Sequence, residues 1–351
     1  MPALAVADAL RAEGAEVVFV GGGTARAAGG PPERELVPKA GYELRALRVK
    51  PLPRRRPLQA VGAVLIDAAA VASALRLLGE LRPGAVLGAG GYVAGPVGLA
   101  AVLRRVPLVL TEADSHLGLT NRLLAPFARR VCLSFPLPGR SGRRYRVTGR
   151  PVPPLHSDRR AARERFGISE DEICVLVFGG SQGARSINHA AVEAFAGARF
   201  RVLHAAGERD LPELEAPGPH YDLRGYIAGF GDALLASDLV VARAGGSIFE
   251  IAAYGRPAVL IPYPYATADH QSENAGFMER AGAAIVIPDA ELTGPRLAQE
   301  VGQLLADRSR LAAMSGATAE LARPYAAREI ASELLGAARF EPGAGTARRG
   351  H

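Results

Sequence analysis

The chain has 351 residues, 48% apolar and 22% charged, with 42 Lys and Arg against 35 Asp and Glu. This is the composition of a globular chain long enough for two or three domains; the 41 glycines and 26 prolines follow no period, which excludes a collagen-like repeat. Two cysteines, with no zinc-ligand spacing, exclude a disulfide scaffold and a zinc finger and fit a reducing compartment.

The first eight residues carry no basic stretch ahead of an apolar run, so no secretory signal is expected. A helix is predicted at once, with Pro2 in its first turn and Leu4, Ala7 and Leu10 on one face. Strands are predicted at 16–20, 85–87, 107–111, 130–134 and 145–148, then at 173–178, 200–205, 238–242, 258–262 and 284–288. Helices are predicted at 67–80, 119–128, 184–196, 271–280 and 294–306. The alternation predicts an α/β chain of two doubly wound domains with parallel sheets. Such a domain opens with a strand and a glycine-rich turn, so Met1 is expected to be an internal methionine. Residues 83–103 are uncharged, but Pro83, Pro96 and six glycines break them into strand, loop and helix rather than a membrane span. Pro151-Val152-Pro153-Pro154 reads as the linker. The expected layout is a first domain at 1–150, a second at 151–325, a helix at 326–340 packing back on the first, and a disordered tail at 341–351.

Charge is divided unevenly. Residues 1–155 carry a net +12 and the remainder a net −5, so the first half is expected to meet an anionic surface. Low aromatic content, no Trp and no recognisable binding motif argue against nucleic acid and leave acidic lipid or an ordinary solvated basic face.

Four glycine-rich turns follow predicted strands: Gly21-Gly22-Gly23-Thr24, Gly88-Ala89-Gly90-Gly91-Tyr92, Gly179-Gly180-Ser181-Gln182-Gly183 and Ala244-Gly245-Gly246-Ser247. Each is a tight turn or a cradle where a diphosphate approaches the backbone ahead of a helix N-terminus. None has dinucleotide-fingerprint or Walker spacing. The third also matches the nucleophile elbow of a hydrolase, with Ser181, Asp269 and His270 in triad order. Adjacent acid and base diverge, which counts against that reading. Glu250, seven positions after Arg243, offers a carboxylate for ribose hydroxyls. Gln271 and Asn274 share one face of a helix start, where they either bind sugar hydroxyls or cap the helix.

These residues carry a family likeness. Pro2-Ala3-Leu4-Ala5, residues 35–41, Gly90-Gly91-Tyr92-Val93-Ala94-Gly95-Pro96, Gly118-Leu119-Thr120-Asn121, residues 180–184, 243–250 and 269–274 occur in an order that resembles the MurG-type N-acetylglucosaminyltransferases. The likeness runs from Pro2 to about Leu335. It implies a GT-B glycosyltransferase, two Rossmann-like doubly wound domains facing a cleft. It further implies inverting transfer from UDP-N-acetylglucosamine to the C4 hydroxyl of undecaprenyl-diphospho-muramoyl-pentapeptide, lipid I. The implied donor residues are Ser181 and Gln182 (diphosphate), Ile227 (uracil), Arg243 (near the leaving group, or buttressing its loop), Gly245, Gly246, Ser247, Glu250 (ribose), Gln271 and Asn274. The implied acceptor residues are Gly90, Gly91, Tyr92, Asp114 and Asn121. No cofactor and no metal are expected, in line with the lack of Asp-x-Asp. The expected setting is the cytoplasmic face of a bacterial membrane, with anionic inner-leaflet lipid and other cell-wall synthesis proteins as partners and no nucleic acid. Arg54-Arg55-Arg56 beside Leu52, Leu58 and residues 61–66 is the expected lipid contact.

Three departures stand out. The family's opening G-G-T-x-G-H, with the histidine often proposed as base, has no counterpart here; Asp114 and His116 are the candidates in its place. Glu112-Ala113-Asp114 stands where the family has E-Q-N, and Gly149-Arg150-Pro151-Val152-Pro153 where it has G-N-P-V-R. The alternatives are a catalytically inactive UDP-sugar-binding relative and an α/β-hydrolase using Ser181.

Overall fold

The computed structural model describes residues 2–22, 33–47, 49, 68–180, 183–266 and 269–339. The chain divides into two compact units, Met1–Pro151 with Tyr325–His351, and Val152–Pro324.

The first unit opens with helix α1 (Pro2–Ala12), which buries Val6, Ala7 and Leu10. It continues through β1 (Val18–Gly22), α2 (Glu33–Lys39), β2 (Glu43–Leu47), α3 (Ala68–Leu81), β3 (Val86–Gly88) and α4 (Gly91–Leu103). Then come β4 (Leu108–Glu112), α5 (Leu119–Leu124), β5 (Arg130–Leu133) and β6 (Tyr145–Val147). The described strands form two parallel sheets, β1-β2 and β3-β4-β5-β6. The uncharged stretch 83–103 separates into β3, a turn and α4. Gly98 lies in that helix because a Cβ there would stand 2.5 Å from Cδ1 of Leu124, on α5. No described helix is long and apolar enough to cross a membrane. Strand β1 lies two residues later than predicted, and β2 was not predicted at all.

The second unit contains α6 (Arg159–Arg165), β7 (Cys174–Phe178), α7 (Arg185–Ala194), β8 (Arg201–Ala205), β9 (Tyr221–Arg224) and α8 (Phe230–Ala236). It goes on with β10 (Leu239–Ala242), α9 (Ile248–Ala253), β11 (Ala258–Leu260), α10 (His270–Arg280), β12 (Ala284–Val286), α11 (Gly294–Ala306) and α12 (Arg308–Glu320). All six strands are parallel, in the order β12-β11-β10-β7-β8-β9. That is the doubly wound order in which the first and fourth strands are neighbours, so the crossover direction reverses between β7 and β10. Every residue of β7 and β10 is buried, as expected of central strands covered on both faces. Helix α11 packs Leu297, Val301 and Leu304 into this core, and the Thr293 side chain caps it by accepting from the Arg296 N–H at 3.2 Å.

The last helix, α13 (Ala326–Ala338), belongs to the first unit. Ile330 and Ala331 pack with Val6 and Leu10 of α1 and Val109 of β4. Its Glu333 accepts from Arg130 at 2.8 Å and from Arg146 at 2.7 Å. Cys132 and Cys174 are both free and buried, and burial pushes both thiols up to about 12, so neither is a nucleophile near neutral pH.

Candidate active site

In an open parallel sheet, ligands bind beyond the carboxyl ends of the strands where the crossover direction reverses, because two neighbouring loops there part to opposite faces. In the second unit that place is the pair of turns after β7 and β10. Two glycines hold the first turn closed. A Cβ on Gly179 would overlap Ala184, and Gly183 (φ +73°) lies so near the carbonyl of Ala206 that any side chain would overlap it. Gly180 (φ +93°) faces open space. Ser181 and Gln182, between them, lie outside the described residues.

A buried polar network below this turn joins α7 to β8. His204 is completely buried, and burial lowers its pKa to about 4, so the ring is neutral at pH 7. Asn188 Nδ2 donates to the Ala206 carbonyl at 2.9 Å and to Asp210 at 3.1 Å. Its Oδ1 therefore faces His204 Nε2 at 3.0 Å, which places the imidazole proton on Nε2 and leaves Nδ1 to accept from the Tyr221 hydroxyl at 2.8 Å. Nothing in the residue spacing had marked this network.

The second turn is braced by Arg243, which is 8% exposed. Its guanidinium donates to Asp289 at 2.6 Å, to the carbonyls of Ile261 and Pro262 at 3.2 Å each, and to Ser186 Oγ at 2.8 Å. These bonds tie the end of β10 to α7, the end of β11 and the segment after β12. Of the two places expected for Arg243, the buttressing one is where its hydrogen bonds lie.

The two amides on α10 do not cap that helix. Gln271 Oε1 accepts from the Tyr263 N–H at 3.0 Å, and a Cβ on Gly245 would stand 3.9 Å from its Nε2. Asn274 Nδ2 donates to the Ala244 carbonyl at 2.9 Å, while its Oδ1 is buried without a partner among the described residues. Both residues thus border the turn after β10. Gly245, Gly246 and Ser247 are half-buried there, and the Ser247 hydroxyl makes no capping bond to α9. Glu250, in the first turn of α9, is also half-buried. Ile227 is 1% exposed as a whole residue, main chain included. Asp269 adopts φ +53° ahead of α10, and its carboxylate accepts from the Ser272 hydroxyl at 2.7 Å.

In the first unit the corresponding loops follow β3 and β4. Gly90 and Gly91 both have φ +78° with open space where a Cβ would lie, a conformation open to glycine and strained for other residues. The Tyr92 hydroxyl turns onto β1, where a Cβ on Gly22 would overlap it. After β4 the loop 113–118 closes around Glu112, a carboxylate 6% exposed that spacing did not single out. It accepts from the main-chain N–H groups of Ala113 (3.0 Å), Asp114 (3.2 Å) and Gly118 (2.8 Å), and from Asn121 Nδ2 (2.9 Å). Four charge-assisted donors fix the loop that carries Asp114, which is half-buried, and His116, which is exposed. Asn121 also donates to the Thr111 carbonyl at 2.9 Å and, like Asn274, leaves a buried Oδ1 without a partner among the described residues. The one available clue to Glu112 was an acid closing an otherwise apolar strand. No described cluster of His, Cys, Asp and Glu has the form of a metal site. The expected lipid contact at 52–66 and the tail at 341–351 lie outside the described residues.

Comparison with known proteins bears on the family and the fold. Residues 1–133 match the glycosyltransferase family 28 N-terminal domain and residues 174–330 its C-terminal domain. A Moorella thermoacetica protein is 40% identical over 95% of this chain and 94% of its own length. A Rubrobacter xylanophilus protein is likewise 40% identical, over 95% and 99%. Both are named UDP-N-acetylglucosamine–N-acetylmuramyl-(pentapeptide) pyrophosphoryl-undecaprenol N-acetylglucosamine transferase. Among solved structures, Acinetobacter baumannii MurG superposes with a TM-score of 0.76 at 27% identity, covering 95% of each chain.

Proposed function

The chain belongs to glycosyltransferase family 28 and has its GT-B fold, and from that premise we propose that it makes lipid II. It transfers N-acetylglucosamine from UDP-N-acetylglucosamine, with inversion, to the C4 hydroxyl of undecaprenyl-diphospho-N-acetylmuramoyl-pentapeptide. The observation that carries this reading is the pair of glycine turns where the crossover direction reverses, between β7 and β10.

The second unit takes the donor. The turn after β7, with Ser181 and Gln182, receives the diphosphate; Gly245, Gly246 and Ser247 meet the phosphates and sugar. Glu250 accepts from the ribose hydroxyls, the Ile227 position meets the uracil, and Gln271 binds the sugar hydroxyls. Arg243 and Asn274 hold the second turn in place. Hydrogen-bond donors fixed before the reaction stabilise charge as it develops on the departing diphosphate, with no reorganisation needed at that moment.

The first unit takes the acceptor at Gly90, Gly91, Asp114 and Asn121. A general base must remove the C4 hydroxyl proton as the bond to the anomeric carbon forms. Asp114 is the candidate, on the loop fixed by Glu112, with His116 the second choice. Peripheral membrane contact also falls to this unit. Leu119 (48% exposed) and Leu123 (49%), one turn apart on α5, lie near Phe127 (64%) in sequence, with Arg122 and Arg129 interspersed. Apolar insertion combined with attraction to anionic headgroups is the chemistry of such a contact.

The test is UDP release from UDP-N-acetylglucosamine with and without a short-chain lipid I analogue. Acceptor-dependent release, cut at least a hundredfold by Asp114→Asn with donor binding intact, is expected for a general base. Donor binding without release under any acceptor condition would mark an inactive relative. Release indifferent to Asp114→Asn would move the base elsewhere.

A further inference from the structure

When the bond between the anomeric carbon and the β-phosphate oxygen breaks, its electron pair stays on that oxygen, and UDP departs with one further negative charge. The acceptor oxygen takes over the anomeric carbon, and its proton passes to the base. A cation already placed at the diphosphate lowers the barrier to that step. Arg243 is not free to be that cation. It is buried, with Nη1 engaged by Asp289 and the carbonyls of Ile261 and Pro262, and Nη2 by Ser186.

Two other arginines stand at the turn after β7. Arg185 is the first residue of α7, and Ala184 ahead of it has no side chain to cap the helix, so the first N–H groups there are left to a ligand or to water. Arg209 lies on the loop after β8, which packs on the same turn where Gly183 meets the Ala206 carbonyl. One buried carboxylate joins the two. Asp210 accepts from Arg209 Nε at 2.7 Å and Nη2 at 2.9 Å, and lies 3.6 Å from Arg185 Nη2. The Arg209 guanidinium holds that carboxyl below the usual carboxylate range, and Asn188 Nδ2 steadies it at 3.1 Å. Both arginine side chains are more than half exposed. Arg185 also meets Glu213 at 3.3 Å, but that carboxylate is itself more than half exposed, and an ion pair in water holds its partners weakly. Tyr263, whose N–H donates to Gln271, lies within electrostatic reach of Arg209, which sets this arginine on the side of its loop towards the second turn.

We propose that Arg185 and Arg209, aligned by Asp210, are the cations that grip the donor diphosphate and stabilise it as it departs. Arg209 holds Asp210 through Nε and Nη2 and keeps Nη1 for a phosphate oxygen. Arg185 exchanges the exposed Glu213 for the ligand. Guanidinium suits the task because it stays charged at any working pH and offers several donors to phosphate oxygens. Asp210 touches no substrate; it is a positioning residue that fixes where both guanidinium groups begin. The inference rests on the second unit being the donor site.

The experiment compares UDP with uridine, which has the nucleoside but no phosphate, on the full chain and on Arg185→Gln, Arg209→Gln and Asp210→Asn. UDP is followed by isothermal titration and uridine by ligand-observed NMR. Each Gln variant is expected to weaken UDP by about tenfold while shifting uridine by less than about twofold. Arg185→Lys and Arg209→Lys, which keep the charge, should recover part of the loss. Asp210→Asn should lower the preference for UDP over uridine with uridine binding intact. In acceptor-dependent turnover of UDP-N-acetylglucosamine, kcat should fall by a larger factor than KM rises, because the charge is greatest once the bond has broken. A preference for UDP that is unchanged in both Gln variants would overturn the proposal, as would equal affinity for UDP and uridine in the unaltered chain. Equal loss of both ligands in the Gln variants would mark a structural role and overturn it too. An unaltered chain that binds neither ligand would instead remove the donor reading of the second unit, and the proposal with it.

Discussion

The sheets of the two units are variations on one topology, and their difference lies at the centre. In the second unit β7 occupies the middle of six strands, and each of its five residues is buried. In the first unit the equivalent position is a cavity, and the flanking strand β1 is only half-buried over Val18, Phe19 and Val20. A central parallel strand contributes on four sides at once: two hydrogen-bonded ladders and two helix-covered faces. Edge strands give up one ladder, and the strands beside a gap behave as edges.

The largest test of this comparison is the same truncation on either side of it. Leu176 of β7 is completely buried, whereas Leu87 of β3 is half-buried beside the cavity. Leu176→Ala is expected to cost about 4 kcal/mol and Leu87→Ala about 1–2 kcal/mol in urea unfolding, since the cost of truncation rises with the void it creates. Equal costs would mean that the first sheet is as tightly closed as the second.

Acid should separate the units next. The folded pKa of His204 is depressed to about 4, against about 6.5 in an unfolded chain. The unfolded state therefore binds the proton first. Stability from this group is complete above about pH 6.5 and falls as pH drops towards 4, by about 3 kcal/mol in all. Urea titrations of the second unit at pH 7 and pH 4.5 should show most of that loss, and His204→Gln should flatten it. The first unit's described histidine, His116, is exposed. A slope unchanged in His204→Gln would place the acid sensitivity in another group.

The smallest expected effect probes what the units have in common. Asn121 and Asn274 each donate Nδ2 to a carbonyl at the end of a strand and bury an Oδ1 without a described partner. Replacing either with Ala should cost about 1–2 kcal/mol, because a loop carbonyl loses its donor. Asn274→Ala should weaken donor binding and Asn121→Ala acceptor binding, both read by isothermal titration. A large effect at one position and none at the other would show that the two loops are held by different means.

The buried strands were legible in the sequence. Residues 173–178, and 238–242 apart from Asp238, read as continuous apolar runs, and β7 and β10 fall within them. The missed strands are β2 (Glu-Leu-Arg-Ala-Leu) and β9 (Tyr-Asp-Leu-Arg), each at the end of its sheet order and partly exposed. With one ladder and a wet face, such strands need no apolar run, so no pattern announced them. The glycine turns after β3 and β7 were legible as well, because positive φ at Gly90, Gly91, Gly180 and Gly183 leaves other residues little place there; Gly21 and Gly22, read as the start of a turn, lie within β1.

Side-chain assignments within those turns divided differently. Arg243, Gln271 and Asn274 were singled out by type and spacing, but whether each faced a ligand, a carbonyl or a helix end was left open. Glu112 was passed over. A carboxylate is the same residue in the sequence whether it binds a sugar or gathers three N–H groups of its own loop and the Asn121 amide. By itself, then, the sequence determined the alternation of strands and helices, the glycine turns that follow them and the family likeness, because each is a local pattern of size, polarity and backbone freedom. Only the tertiary structure decided which strands are neighbours, where Arg243 and Glu112 direct their hydrogen bonds, and that a cavity lies between β1 and β3. Those depend on pairings between residues far apart in the chain, whose partners folding alone brings together.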